Sequence, residues 1–207
     1  MEKRKANIAV LVSGGGTNLQ ALIDAQGGVL KDGEIKLVVS NKEEAFALRR
    51  AQAAGIKTEV IPSAKIPREQ FESRLIKLLD DNKTDLIILA GFMMILSYDF
   101  VSRYKMRIIN VHPSLIPSFC GEGFYGLKVH KAALDYGVKV TGATVHFVNE
   151  VADGGEIITQ KAVKVNKGDT PESLQKRVMR LAEWKILPAA AQRISKLIIK
   201  ENENGDL

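Results

Sequence analysis

Short runs of β-branched and aliphatic residues alternate with amphipathic stretches over the first 112 residues, and this alternation constrains the fold more than any other feature of the chain. NIAVLV (7–12), IKLVVS (35–40), KTEVI (57–61), TDLIILAG (84–91) and RIINVH (107–112) read as strands. Between them TNLQALIDA (17–25), EEAFALRRAQAAG (43–55) and PREQFESRLIKLLDDN (67–82) carry apolar residues at helical spacing, and a shorter helix falls near SYDFVSRY. Gly55 stands where a helix ends in a left-handed residue, Pro67 stands in a first turn, and Phe71, Leu75, Leu78 and Leu79 share one face. A strand that is apolar on both faces must be covered on both. Helices between consecutive strands supply that cover, so the pattern predicts an α/β fold with a doubly wound, mostly parallel sheet.

The second half changes character. KVTGATVHFV (139–148) and IITQKAVKV (157–165) are longer strands with no helical pattern between them, which predicts an antiparallel pair. A long C-terminal helix is expected over 171–199, with a bend near Pro188, before the polar tail KENENGDL. The 207 residues suit one domain over 1–207, its halves meeting at 105/106, large enough to hold a core without staples. The one cysteine, Cys120, excludes an internal disulfide and a cysteine-built metal site. The basic start MEKRK is followed by an apolar run of only about six residues, too short for a leader or a membrane span, so a cytoplasmic protein with no membrane partner is expected. Net charge is +6, but the basic residues are spread along helical faces with few aromatics among them. Solvated helix faces explain most of this charge; it supports nucleic-acid binding only weakly and suits anionic small substrates as well.

Three stretches could carry chemistry. SGGGTN (13–18) joins the first strand to the first helix, at the carboxyl edge where open α/β sheets bind ligands. Its glycines let backbone approach an anion at a helix N-terminus, although the pattern is neither G-x-G-x-x-G nor a Walker loop, and a plain tight turn would read the same way. In NVHPS (110–114), Asn110 and His112 lie two apart on a strand and so share a face. An imidazole that titrates near neutrality beside an amide donor suits addition to a carbonyl, where an oxyanion must be held while protons move. The same pair could simply cap a strand end. Asp153 in NEVADGGEII (149–158) could bring a carboxylate to that pair, or merely mark an Asp-Gly turn. His130, on a helix, and His146, inside a strand, read as structural, and no His, Asp and Glu set has metal-ligand spacing, so no metal is expected.

AVLVSGGGTNLQALIDA, SNKEEAFALRRAQAAGI, LAGFMMILS, INVHPSLIPSF, VTGATVHFV and DGGEII, in this order, resemble the glycinamide ribonucleotide formyltransferase family from residue 7 to about 195. The resemblance implies a Rossmann-like formyltransferase fold, with a substrate-phosphate half over 1–105 and a catalytic, folate-binding half over 106–207. It implies transfer of formyl from 10-formyltetrahydrofolate to the amine of glycinamide ribonucleotide in purine synthesis, by a monomer or homodimer. The implied catalytic residues are Asn110, His112 and Asp153. Gly16, Thr17 and Asn18 fall at the substrate phosphate and Glu183, in the last helix, at the glycinamide group. Arg68 before the third crossover helix, Met93, Met94, Ile95 and Leu96 after the fourth strand, Asn110, and the loop Asn149, Glu150, Val151, Ala152 and Asp153 fall at the folate.

The chain departs from the family pattern in four places: Met94 stands where Arg is frequent, Glu156 where Pro is, Trp184 where His is, and the 118–130 loop is longer. A methionyl-tRNA formyltransferase would share Asn110, His112 and Asp153 but is expected to carry a tRNA-binding domain. A formyltetrahydrofolate deformylase would use water in place of the amine and is expected to carry an N-terminal regulatory domain.

Overall fold

The computed structural model describes residues 4–205, which cluster into two compact units. The first takes residues 4–96 and 191–205 and the second 97–190, so the chain returns to the first unit within its last helix.

In the first unit four strands pair in parallel in the order β3-β2-β1-β4: β1 (Ala6–Val12), β2 (Gly33–Ser40), β3 (Lys57–Val60) and β4 (Leu86–Leu89). Every residue of β1 except Asn7, and all of β4, is buried, as expected of strands covered on both faces. The cover comes from α1 (Thr17–Ala25), α2 (Phe46–Ala53) and α3 (Arg68–Asp81), which bury Leu19 and Leu22, Ala47, Leu48 and Ala51, and Phe71, Leu75 and Leu79 respectively. The chain moves from β1 outward to β3 and then crosses to β4 on the other side of β1. The carboxyl ends of β1 and β4 therefore flank the switch point at which ligands enter such sheets. There the Ser13 hydroxyl accepts a hydrogen bond from the Met93 amide at 2.8 Å, tying the loop after β4 to the glycine loop after β1.

The helix expected over 43–55 starts only at Phe46. The Ser40 hydroxyl donates to the Lys42 carbonyl and accepts from the Lys42 amide, and this closed turn holds the backbone out of the helix. Gly55 does adopt φ +70 just past the C-cap, as its position predicts.

The second unit opens with α4 (Tyr98–Arg103), whose Ser97 cap accepts from the Phe100 amide. Its strands β5 (Ile108–His112), β6 (Val140–Phe147) and β7 (Ile157–Lys164) pair antiparallel in that order, with α5 (Leu127–Tyr136) between β5 and β6. The expected β6–β7 pair is therefore present, and β5 joins it. After β7, α6 (Pro171–Val178) begins with a Thr170–Ser173 capping box and Pro171 in its first turn.

The single helix expected over 171–199 is interrupted. A π-helical turn, Met179–Glu183, precedes α7 (Trp184–Gly205), and Pro188 lies inside α7 rather than at a break. A proline removes the N–H owed to the carbonyl four residues back, here Trp184, and its ring crowds that carbonyl. Trp184 sits at ψ −6, off the helical value, so the chain accommodates Pro188 one turn upstream. Gln192 of α7 accepts from the Lys31 and Asp32 amides and donates to the Asp32 carboxylate, anchoring the helix in the first unit. Among the described residues no helix is long and apolar enough to cross a membrane.

Candidate active site

Alternation along β5 puts Asn110 and His112 on one face, and the cross-strand register sets His146 of β6 directly opposite Asn110. Asp153 comes from the β6–β7 loop, at φ +55, a left-handed conformation uncommon outside glycine that aspartate adopts more readily than most residues. Its carboxylate gathers the cluster. Oδ2 lies 3.3 Å from His112 Nδ1 and accepts from the Gly121 amide at 2.9 Å, while Oδ1 accepts from Asn110 Nδ2 at 3.4 Å and lies 3.5 Å from His146 Nε2.

Hydrogen accounting fixes the tautomers. His146 Nδ1 lies 2.8 Å from the Phe147 carbonyl, which can only accept, so Nδ1 carries a proton. In the neutral ring Nε2 is then an acceptor, and it takes a hydrogen from Asn110 Nδ2 at 3.2 Å. His146 thus turns the Asn110 amide so that its NH₂ end, not its oxygen, faces the cluster. Likewise His112 Nε2 lies 2.9 Å from the Phe119 carbonyl and must donate to it. A second proton on Nδ1, facing Asp153, makes the ring an imidazolium.

Charge and burial compete here. Burial pulls the His112 imidazole below its usual value, against Asp153 and the Phe119 carbonyl, which pull it up. Burial alone would raise the Asp153 carboxyl; the hydrogen bonds and charge it meets from the side chains around it, His112 among them, and from the Gly121 amide outweigh burial and hold the group below the usual carboxylate range. The cluster is therefore an ionised carboxylate that offsets part of the burial penalty on a protonated His112 ring and orients that ring beside an amide donor. It can stabilise negative charge growing on a carbonyl oxygen and pass a proton. Cys120 is close by but unsuited to nucleophilic attack: burial and the Asp153 charge raise its thiol, which donates to the Pro117 carbonyl.

The other sequence-derived positions fall as follows. Gly16 caps α1 at φ +72, and Thr17 and Asn18 begin that helix. Arg68 is the first residue of α3 and exposed, rather than preceding the helix. Met93 and Ile95 are exposed in the loop after β4, Met94 is half-buried and Leu96 buried. Asn149 accepts from the Val151 amide, which shapes the approach to Asp153, while Glu150, Val151 and Ala152 are exposed. Glu183 is buried, and it closes the π turn rather than standing in the last helix. Sequence reasoning missed His146, which reads as a structural strand residue. The signal was a lone imidazole among the buried residues of a strand, and its meaning depends on a register the sequence does not print.

Residues 6–191 match the formyl transferase family. Phosphoribosylglycinamide formyltransferase of Escherichia coli (strain K12) is 42% identical over 200 residues, covering 96% of this chain and 92% of its own. The trifunctional purine biosynthetic protein adenosine-3 of Homo sapiens is 45% identical over 207 residues, and the chain spans 20% of that protein's length. Of solved structures, glycinamide ribonucleotide transformylase 1 of Symbiobacterium toebii superposes with a TM-score of 0.86 at 38% identity, over 93% of this chain and 88% of its own. Phosphoribosylglycinamide formyltransferase of Brucella melitensis superposes at 0.85 and 42% identity, over 93% and 96%. With the match running through both units and through β5, β6 and the Asp153 loop, the chain belongs to the formyl transferase family.

Proposed function

We propose that the chain transfers the formyl group of 10-formyltetrahydrofolate to the amine of glycinamide ribonucleotide, in the cytoplasmic synthesis of purines. The observation that carries this reading is the Asn110, His112 and Asp153 cluster, built for a carbonyl that becomes an oxyanion, in a chain of a formyl transferase family. The substrate amine adds to the formyl carbon, and negative charge moves to the formyl oxygen. His112 Nε2–H turns from the Phe119 carbonyl to that oxygen, and Asn110 Nδ2 gives it a second hydrogen. The Asn110–Asp153 contact at 3.4 Å is long for an amide donor, so this hydrogen loses least by changing acceptor. Asp153 holds the imidazolium in place. When the tetrahedral centre collapses, the bond to folate nitrogen breaks and that nitrogen receives the proton given up by the amine, relayed through His112 and Asp153.

The substrate phosphate is assigned to Gly16, Thr17 and Asn18, at an N-terminus that carries no side-chain cap of its own, and the glycinamide group to Glu183. From the family resemblance, the folate is assigned to Met93, Ile95 and Val151, with Arg68 for its carboxylates.

The test is formyl loss from 10-formyltetrahydrofolate, followed by absorbance with and without glycinamide ribonucleotide. Turnover that requires the ribonucleotide supports the transferase. Equal loss without it makes the chain a deformylase and removes the assignments at Asn18 and Glu183.

A further inference from the structure

We propose that Arg50 is a positioning residue for anion binding by the glycine loop, acting from behind the loop without touching the ligand. Three contacts fasten the loop to α2. The Ala47 amide donates to the Gly14 carbonyl at 3.0 Å, and Arg50 Nε donates to the Gly15 carbonyl at 2.8 Å. Gly16 packs so closely on Ala47 that a Cβ there would lie 2.6 Å from the alanine's own. In a trans peptide the carbonyl and the following N–H point in opposite directions. Turning the Gly14 and Gly15 carbonyls toward α2 therefore turns the Gly15 and Gly16 amides away from it. Among the described residues neither amide meets a backbone acceptor, and a Cβ on Gly14 or Gly15 would meet nothing within 4 Å. The outer side of the loop is open, with donors aimed into it.

Arg50 is itself held on two sides. Nη1 donates to Gln20 Oε1 of α1 at 3.1 Å, and the guanidinium lies over the exposed Phe46 ring, 5.0 Å from its centroid. One planar group thus joins α2, the loop and the first turns of α1, so the free amides and the helix N-terminus keep a fixed mutual geometry. A lysine has one point of attachment and cannot bond the Gly15 carbonyl while bracing Gln20 in the same plane. Arg49 is the internal control, because it also lies over Phe46, at 5.9 Å, but no bond of its own to the loop is among the described contacts.

This inference rests on the phosphate assignment made above, and the experiment separates the two. In the wild type, inorganic phosphate is titrated as a competitor of glycinamide ribonucleotide; then KM and kcat for both substrates are measured in Arg50→Ala, Arg50→Lys and Arg49→Ala. Competition in the wild type, with KM for the ribonucleotide and the phosphate inhibition constant raised about tenfold in Arg50→Ala, less in Arg50→Lys and not in Arg49→Ala, supports the proposal. The folate KM and kcat should stay within about twofold, a split that general loosening of the fold would not give. Competition in the wild type with Arg50→Ala unchanged, or with both KM values and kcat shifted together, overturns the role of Arg50 alone. Absence of phosphate competition in the wild type overturns the phosphate assignment and the proposal with it. If Arg50→Ala fails to fold, Arg50→Lys carries the same comparison.

Discussion

Asp153→Asn removes one charge from the cluster while keeping its shape, so its effect measures what the carboxylate does for His112. At 3.3 Å, and with an effective dielectric of about 20, the attraction between carboxylate and imidazolium is about 5 kcal/mol. An asparagine recovers part of this. Its single oxygen, in the place of Oδ2, can accept from both the Gly121 amide and His112 Nδ1, so the bond to His112 is retained without its charge, while its NH₂, in the place of Oδ1, faces the Asn110 amide donor. Crediting about 1 kcal/mol for the retained bond leaves about 4 kcal/mol, or a fall of about 10³-fold in kcat. KM for either substrate should stay within about threefold. The pH profile should move as well. Asp153 pulls the His112 imidazole up against burial, so without it the imidazolium is lost at lower pH, and residual activity should decline at lower pH than in the wild type. The assay is the absorbance change on formyl loss with saturating ribonucleotide, with circular dichroism to verify the fold. A folded variant within tenfold of the wild-type kcat would refute the reasoning.

Three further substitutions test other levels of the structure. Gly16→Ala puts a Cβ 2.6 Å from that of Ala47 at φ +72, so about 2–4 kcal/mol of stability should be lost in urea denaturation, together with ribonucleotide affinity. Thr170→Ala removes the cap of α6 and should cost about 1 kcal/mol in the same measurement while leaving kcat unchanged. His130 is fully buried and burial pushes its imidazole down to about 4, so the folded state takes up its proton less readily than the unfolded chain. Its contribution is full above about pH 6.5 and lost as pH falls from there to about 4, worth about 3 kcal/mol. His130→Leu should flatten that part of the urea midpoint against pH curve, and an unchanged slope would contradict the assignment.

The parallel half was legible because its strands are apolar on both faces, a pattern that survives without knowledge of neighbours. The start of α2 was not, because the Ser40–Lys42 turn that delays it is a side-chain decision. The π turn was also hidden: Pro188 announces a disturbance, but where the helix absorbs it depends on packing. Asn110 and His112 could be paired from spacing alone, since period two needs no partner strand. His146 joins them only through the register of β6 on β5, and a shift of one residue would have turned it to the other face.

Asp153 is the most instructive of the three, since an Asp-Gly turn between two strands explains its sequence fully without any chemistry. Antiparallel pairing roots the β6–β7 connection at the start of β5, where the Val148 amide donates to the Ile108 carbonyl, whereas His112 lies at that strand's other end. A tight hairpin would have left the carboxylate near Ile108. Residues 148–156 instead form a longer excursion, closed at its base by the Phe147 amide on the Glu156 carbonyl and bent at Asp153 into a left-handed conformation. That excursion brings the carboxylate back to Asn110 and His112, where the Gly121 amide meets it from the loop that follows β5. A left-handed backbone and a loop longer than the turn requires are both costs to folding. The catalytic role proposed for the carboxylate accounts for both, and Asp153→Asn, which spares the backbone and changes only the charge, separates the chemistry of the residue from its place in a turn.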